Sequence, residues 1–282
     1  MPVAASYGGM SYVAAVPPVT ADADFLHRRV PALGKEVHRL GLALNYGIDA
    51  AGVRAAIDRG VQYFFWTRLR TGAATPALRE ALARDRERYV VATGPSVGYF
   101  AGNVRRGLER ALRTLGTEYV DVLQLFWVGV GAAFTDETVG ELVRLKEEGK
   151  ARAIGISIHD RERAGRLAAD SPIDLLMLRY NAAHPGAERD VFPHLERRRP
   201  AVVAYTATSW RKLLKAPRGW RGRVPTAADC YRFCLSSPHV DVVLTGPKTG
   251  AELQENLDGL ARGPLSPEED RFMREFGNVV HG

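Results

Sequence analysis

Arg39-Leu40-Gly41-Leu42-Ala43-Leu44-Asn45-Tyr46-Gly47-Ile48-Asp49 is the stretch on which the fold turns. An apolar run of strand length is followed by a short turn and then, over 50–59, by a segment of helical period, which makes one β–α unit. In a doubly wound open sheet the first such turn carries a G-x-G-x-x-G phosphate loop, and Asn45 to Asp49 does not. The unit then recurs along the chain. Strands are expected at Arg39–Leu44, Val61–Phe65, Tyr89–Thr93, Val120–Leu125, Ala151–Ile156, Ile173–Leu178, Ala201–Tyr205 and Val240–Leu244. Helices are expected near 50–59, 74–85, 101–115, 136–148, 161–169, 187–198, 226–236 and 250–260. A ninth, at 266–276, follows Ser266-Pro267, which reads as N-cap and first helical residue. Eight strand–helix units about 29 residues apart predict an α/β fold of the (β/α)8 TIM-barrel type.

No linker or shift of composition divides residues 25–282, so a single domain is expected there. Residues 1–24 are small, contain proline and lack Lys or Arg; they read as a loose N-terminal extension, not as a signal peptide. The chain of 282 residues is 46% hydrophobic and 25% charged, which excludes disordered and collagen-like classes. No run approaches the ~18 apolar residues of a membrane span, so no membrane partner is expected. Two cysteines cannot staple a secreted chain of this length, and a cytoplasmic location is expected. Cys230 and Cys234 lie four apart, on one helix face, with no other Cys or His nearby in sequence; they read as core packing, and no metal site is expected.

The net charge of +7 favours anionic partners. Between Arg211 and Arg223 stand six basic residues and no acidic one, in the long connection after the seventh strand. In a barrel that connection lies on the C-terminal face, where ligands bind. The turn after the eighth strand, Thr245-Gly246-Pro247-Lys248-Thr249-Gly250, opens a helix whose free N–H groups, with the Lys248 ammonium, would hold an anion. Two such features on adjacent loops point to a phosphate-bearing small molecule. Nucleic acid is not expected, because only Trp210 and Trp220 interleave with the basic residues and no recognition motif is present.

Several segments resemble the aldo/keto reductase family, in family order and at family spacing. They include Gly60-Val61-Gln62-Tyr63-Phe64-Phe65, Leu108 to Gly116, Tyr119-Val120-Asp121-Val122-Leu123-Gln124-Leu125, Lys146 to Ser157, Tyr180-Asn181, Val203-Ala204-Tyr205 and Glu255-Asn256-Leu257. The resemblance implies a barrel that binds NADP(H) across its strand C-termini. It implies Lys248 on the adenosine 2′-phosphate, Asn256 on adenine, Ala207, Thr208, Ser209 and Arg211 in the loop around the pyrophosphate with Gly246 beside it, Tyr205 stacked on nicotinamide, and Ser157 on the carboxamide. Glu252 departs from the amide usual at its position.

The family reduces carbonyls with Asp, Tyr, Lys and His. The resemblance places Trp66, Thr71, Gly94 and Phe126 at those four positions, and Ile158 and Met177 replace two amides of the nicotinamide clamp. A positioned general acid contributes ~10²–10⁴-fold. Ordinary carbonyl reduction is therefore not expected, and cofactor binding is expected to be weak or altered. Replacement groups at the strand ends are Arg68, Arg70, His159 and Tyr46, with Arg179 and Asn181 nearby, and Asp160 reads as a helix cap. The two functions expected are an NADP(H)-associated oxidoreductase with a non-standard active site and a non-catalytic nucleotide- or metabolite-binding barrel, as a monomer or small homo-oligomer.

Overall fold

The computed structural model describes residues 24–281. The extension expected over 1–24 lies outside them except for Asp24, whose carboxylate accepts the Leu26 N–H at 2.8 Å.

The first described elements are not part of the barrel wall. Strands β1 (His27–Val30) and β2 (Lys35–His38) form an antiparallel hairpin around Pro31–Leu33, closed by Gly34 at φ 64. Eight parallel strands follow: β3 (Leu40–Ala43), β4 (Tyr63–Phe65), β5 (Val90–Thr93), β6 (Val120–Val128), β7 (Ala151–Ile158), β8 (Leu175–Arg179), β9 (Ala201–Tyr205) and β10 (Val242–Thr245). They pair in chain order, and β10 pairs with β3 to close the barrel. All eight overlap the strands expected from the sequence.

Helices α1 (Ala50–Asp58), α2 (Thr75–Arg84), α3 (Ala101–Leu115), α4 (Asp136–Glu147), α5 (Arg161–Ala169), α6 (Ala187–Asp190), α7 (Ala227–Ser236), α8 (Gly250–Leu260) and α9 (Pro267–His281) surround it. Several of their starts are capped by side chains, that of α5 by Asp160 as the sequence suggests. Asp160 accepts the Arg163 N–H at 2.9 Å, and Thr226 and Asp229 cap each other reciprocally. The helix expected over 187–198 is a correction. It is a single turn followed by a 3-10 segment, Phe192–Leu195, because Pro193 has no N–H to continue an α-helix.

Alternation along each strand separates two cores. Ala43, Tyr63, Phe65, Val122, Ala153, Met177, Val203 and Leu244 fill the barrel, and Val30, Leu33 and Val37 of the hairpin join them as a plug at the N-terminal end. Leu42, Phe64, Val91, Leu123, Ile156, Leu178 and Val243 face the helices. The plug is tied down by buried charge. Asp121 pairs with Lys35 at 2.8 Å and Arg86 at 2.7 Å and accepts the Val91 N–H at 2.9 Å. Buried Arg39 donates to the carbonyls of Leu235 and Val240 at 2.9 and 2.7 Å. With one end filled this way, only the C-terminal end is open to a ligand.

Candidate active site

The open end is built from the last inward-facing residue of each strand. In β4 these are Tyr63 and Phe65, while Phe64 and Trp66 point to the helices. Trp66, expected at the family's aspartate position, is therefore turned from the mouth. It is buried in the outer layer, where its indole N–H donates to Thr75 Oγ1 at 3.0 Å, and Phe65 is the side chain that strand presents to the mouth. Phe65 meets Phe126 edge-on, their ring centroids 5.4 Å apart.

Thr71 is buried, and its hydroxyl donates to the Thr67 carbonyl at 2.6 Å, so it shapes a turn and is engaged away from the mouth. Gly94 has no room for a side chain: a Cβ there would lie 2.0 Å from the Gln124 carbonyl oxygen and 3.1 Å from the Phe126 ring. The inner mouth at Phe65, Gly94 and Phe126 thus presents no exchangeable proton.

Polar groups gather on the β6–β9 side. A register shift between Leu125 and Val128 turns β6 outward and puts Trp127 at φ 55. Trp127 had no signal in the sequence. Its N–H donates to Ser157 Oγ at 2.7 Å, which engages a lone pair of the hydroxyl expected at a carboxamide. Its half-exposed ring stands edge-on to His159, with centroids 5.8 Å apart. The Tyr205 hydroxyl lies 3.3 Å from both ring nitrogens of His159. Burial, and then the charge of Arg179, push His159 below the ordinary histidine range. Burial pushes the Tyr205 phenol up to about 12. Arg179 ends β8 next to Tyr205 in register, and its guanidinium stands over the Trp210 ring, 5.9 Å from the centroid. No carboxylate among the described residues lies within ion-pairing distance of it.

A groove of about 520 Å³ runs from the mouth over β9, β10 and β3 to the start of α8. Its inner end is Ala43, Phe65, Met177, Tyr205 and Leu244, and its outer end is Lys248, Glu252, Glu255 and Asn256. Seven residues expected at a cofactor line it: Tyr205, Ala207, Thr208, Arg211, Gly246, Lys248 and Asn256. Ser157 and Ser209 do not. Ser209 is buried at φ 48, and its hydroxyl has no partner. Thr206, Trp210 and Arg211 also have positive φ, so this loop holds four non-glycine residues in the left-handed region. The ring of Tyr46 packs on Gly246, where any side chain would collide with it.

The anion site expected at α8 is partly filled by the chain itself. Thr249 caps the helix, and the Glu252 carboxylate accepts the Lys248 N–H at 2.8 Å. Its other oxygen is 3.6 Å from Arg211, so an ion pair bridges the rims of the groove. The Lys248 side chain remains exposed. Elsewhere in the basic loop, Arg223 pairs with Asp229 at 3.1 Å and lies over Phe272, a structural use. Arg68 and Arg70 are exposed at the end of β4, the latter at φ 59.

Cys230 and Cys234 are buried free thiols whose titration burial pushes up. Among the described residues no group of three His, Cys, Asp or Glu could hold a metal, and no helix is long and apolar enough to cross a membrane.

Comparison with known proteins places this architecture. The sequence profile of the aldo/keto reductase family matches residues 38–217. An NADH-specific methylglyoxal reductase of Escherichia coli is 30% identical over 93 residues, 32% of this chain and 28% of that protein. A second methylglyoxal reductase of Escherichia coli is 28% identical over 184 residues, 63% of this chain and 64% of that protein. The chain thus spans less than two thirds of the length of either relative. Among solved structures, an aldo-keto reductase from Klebsiella pneumoniae in complex with NADPH superposes with a TM-score of 0.72 at 22% identity, covering 87% of this chain and 93% of that one.

Proposed function

This chain belongs to the aldo/keto reductase family, and from that premise we propose that it is an oxidoreductase that binds NADP(H) in the groove and acts on a small molecule through a non-standard active site. The observation that carries the reading is the groove itself, which joins the aromatic mouth at Tyr205 to the cationic start of α8 at Lys248.

The residues fit such a cofactor. Tyr205 offers an aromatic face for a flat ring. The buried, partnerless Ser209 hydroxyl and the strained loop around it suit a phosphate that supplies the missing acceptor. Arg211 and Lys248 supply cations at the far end, and the Asn256 amide, which donates to Thr245 Oγ1 at 3.1 Å, keeps its oxygen for an adenine amino group. When bound, the nicotinamide supplies or accepts a hydride. At its other end Ser157 can donate to a carboxamide oxygen, while Met177 offers no hydrogen bond, which weakens the clamp.

Proton delivery is the altered part. The resemblance puts Trp66 and Thr71 at the aspartate and tyrosine positions; Trp66 is turned from the mouth and the Thr71 hydroxyl is engaged in a turn. Neither residue, nor Gly94 or Phe126, can act as a general acid at neutral pH. Standard aldehydes should therefore be reduced far below the ~10 s⁻¹ of a median enzyme. The same apolar inner mouth favours a second reading, a barrel that binds nucleotide or metabolite without turnover. The buried free thiols suit a reducing compartment such as the cytoplasm.

The test is titration of the purified protein with NADPH and NADH, read by tryptophan quenching and nicotinamide fluorescence. Saturable micromolar binding is expected, with NADPH preferred and the preference cut roughly tenfold in Lys248→Ala. Absence of binding at millimolar cofactor overturns the oxidoreductase reading, and aldehyde turnover near the median value overturns the claim of a non-standard site.

A further inference from the structure

Tyr205 stands between two groups of side chains at the open end. On its β9–β10 side lies the groove; on its β6–β8 side stand Arg179, His159 and Trp127, none of which lines that groove. Arg179 sets this second group apart. Side chains alternate along β8, with Leu175 and Met177 inside and Leu176 and Leu178 outside, so Arg179 is directed to the mouth. Buried Asp121, Asp241 and Arg232, by contrast, are each ion-paired. Arg179 has aromatic and histidine neighbours and no carboxylate within reach, which leaves a partly buried, planar double donor without an anion.

Beyond His159, Trp127 belongs to an apolar wall that is held firmly. Loops after β5 and β6 are zipped together by Gly98 N–H to the Gly131 carbonyl and Ala133 N–H to the Gly98 carbonyl, both at 3.1 Å, and by the Tyr99 hydroxyl on the Val130 carbonyl. They present Phe100, Trp127 and Val130 to solvent at 63, 50 and 57% exposure. Large apolar side chains kept exposed on a braced wall beside a mouth mark a binding surface.

We propose that this second group forms the substrate site and that it takes a carbonyl compound carrying a carboxylate beside the carbonyl carbon and an aryl or bulky apolar substituent. Arg179 receives the carboxylate through its two parallel N–H groups. The Tyr205 hydroxyl and the His159 ring, 3.3 Å apart, lie where they can hydrogen-bond the carbonyl oxygen. The substituent lies against Trp127 and the zipped loops. That the bound compound is a substrate rests on the reductase reading, but the chemistry of the ligand stands on Arg179 and the apolar wall alone.

The same guanidinium could instead meet a cofactor phosphate, and the test separates the two sources. Benzoylformate and its uncharged methyl ester are titrated into the full chain, with and without saturating NADP+, by calorimetry and by tryptophan quenching. The expected result is saturable benzoylformate binding in at least one of the two conditions, at least tenfold tighter than the ester. In Arg179→Gln the acid should lose at least tenfold and the ester stay within twofold, with the NADP+ affinity unchanged; Arg179→Lys should recover part of the loss. Benzoylformate that fails to bind in both conditions, or binds no better than its ester, overturns the proposal. So does an Arg179→Gln variant that loses NADP+ affinity and keeps benzoylformate. Failure of NADP+ to bind removes the reductase reading, and the cofactor-free titration alone then decides whether the carboxylate site stands.

Discussion

The two ends of the barrel are made from the same strands and treat charge in opposite ways. At the plugged end, Asp121 and Asp241 are almost fully buried, and each is satisfied by cations and by a backbone N–H. At the open end Arg179 has no counter-charge and Ser209 Oγ no partner among the described residues, and six of the seven described non-glycine residues with positive φ are found there: Arg70, Trp127, Thr206, Ser209, Trp210 and Arg211. Of the nine large hydrophobic side chains exposed among the described residues, all but Val279 lie on its loops or strand ends. Strain, unmet hydrogen bonds and exposed apolar surface are each destabilising, and they persist where a ligand relieves them. One end holds the fold together; the other is arranged for something the protein alone does not contain.

That contrast can be broken by mutation. The largest effect should come from Asp121→Ala, which strands Lys35, Arg86 and the Val91 N–H beneath the plug. Removing one partner of a buried pair costs ~3–5 kcal/mol, readable in urea unfolding, while ligand affinity at the far end should hold. A loss below 1 kcal/mol would mean that the plug is not anchored there.

Acid should attack the same end next. His38 is buried, its Nδ1 accepts the Leu40 N–H at 3.1 Å, and burial lowers its pKa to about 4. Unfolded, it takes a proton near 6.5, so between 6.5 and about 4 the unfolded chain holds more protons and stability falls as the pH drops. The share lost is ~3 kcal/mol. Unfolding curves at pH 7 and 4 should show that slope in the wild type and a smaller one in His38→Asn.

At the mouth, Gly94→Ala should cost ~1–3 kcal/mol, because its methyl group meets a β6 carbonyl that cannot rotate away. A neutral result would show that β5 and β6 part easily. The smallest effect sharpens the contrast most. Arg179→Gln should change stability by no more than ~0.5 kcal/mol, since it breaks no pair, whereas the carboxylates at the other end allow no such freedom. A loss of 2 kcal/mol or more would show Arg179 to be structural.

The barrel was readable because its strands are short Val, Leu, Ile and Ala runs at a regular spacing, and eight of them leave little choice of fold. The hairpin was not. His27–Val30 and Lys35–His38 are four residues each and mostly polar, without the alternation that marks a strand, and Val30 and Val37 are buried only because they plug a barrel that must already exist. That Phe65 and not Trp66 faces the mouth was legible: counting alternate residues from Tyr63 puts Phe65 inside. Most groove residues were legible through the family resemblance, while loop position alone pointed to the basic connection after β9 and to Lys248. The solitude of Arg179 and the bridge from Glu252 to Arg211 depend on which side chains meet across separate loops, and no spacing in the sequence encodes that.

The Glu252 bridge bears on timing. With side chains 38 and 60% exposed and 3.6 Å between the charges, it belongs to the class of ion pairs worth ~1 kcal/mol or less. At that strength the bridged arrangement outnumbers the open one by only about fivefold. The groove is therefore spanned for most of any interval yet opens without help, and added salt shifts the ratio toward open. A long molecule seated under the bridge would leave at a rate set partly by ionic strength, while a small one confined to the Arg179 side would come and go without noticing it.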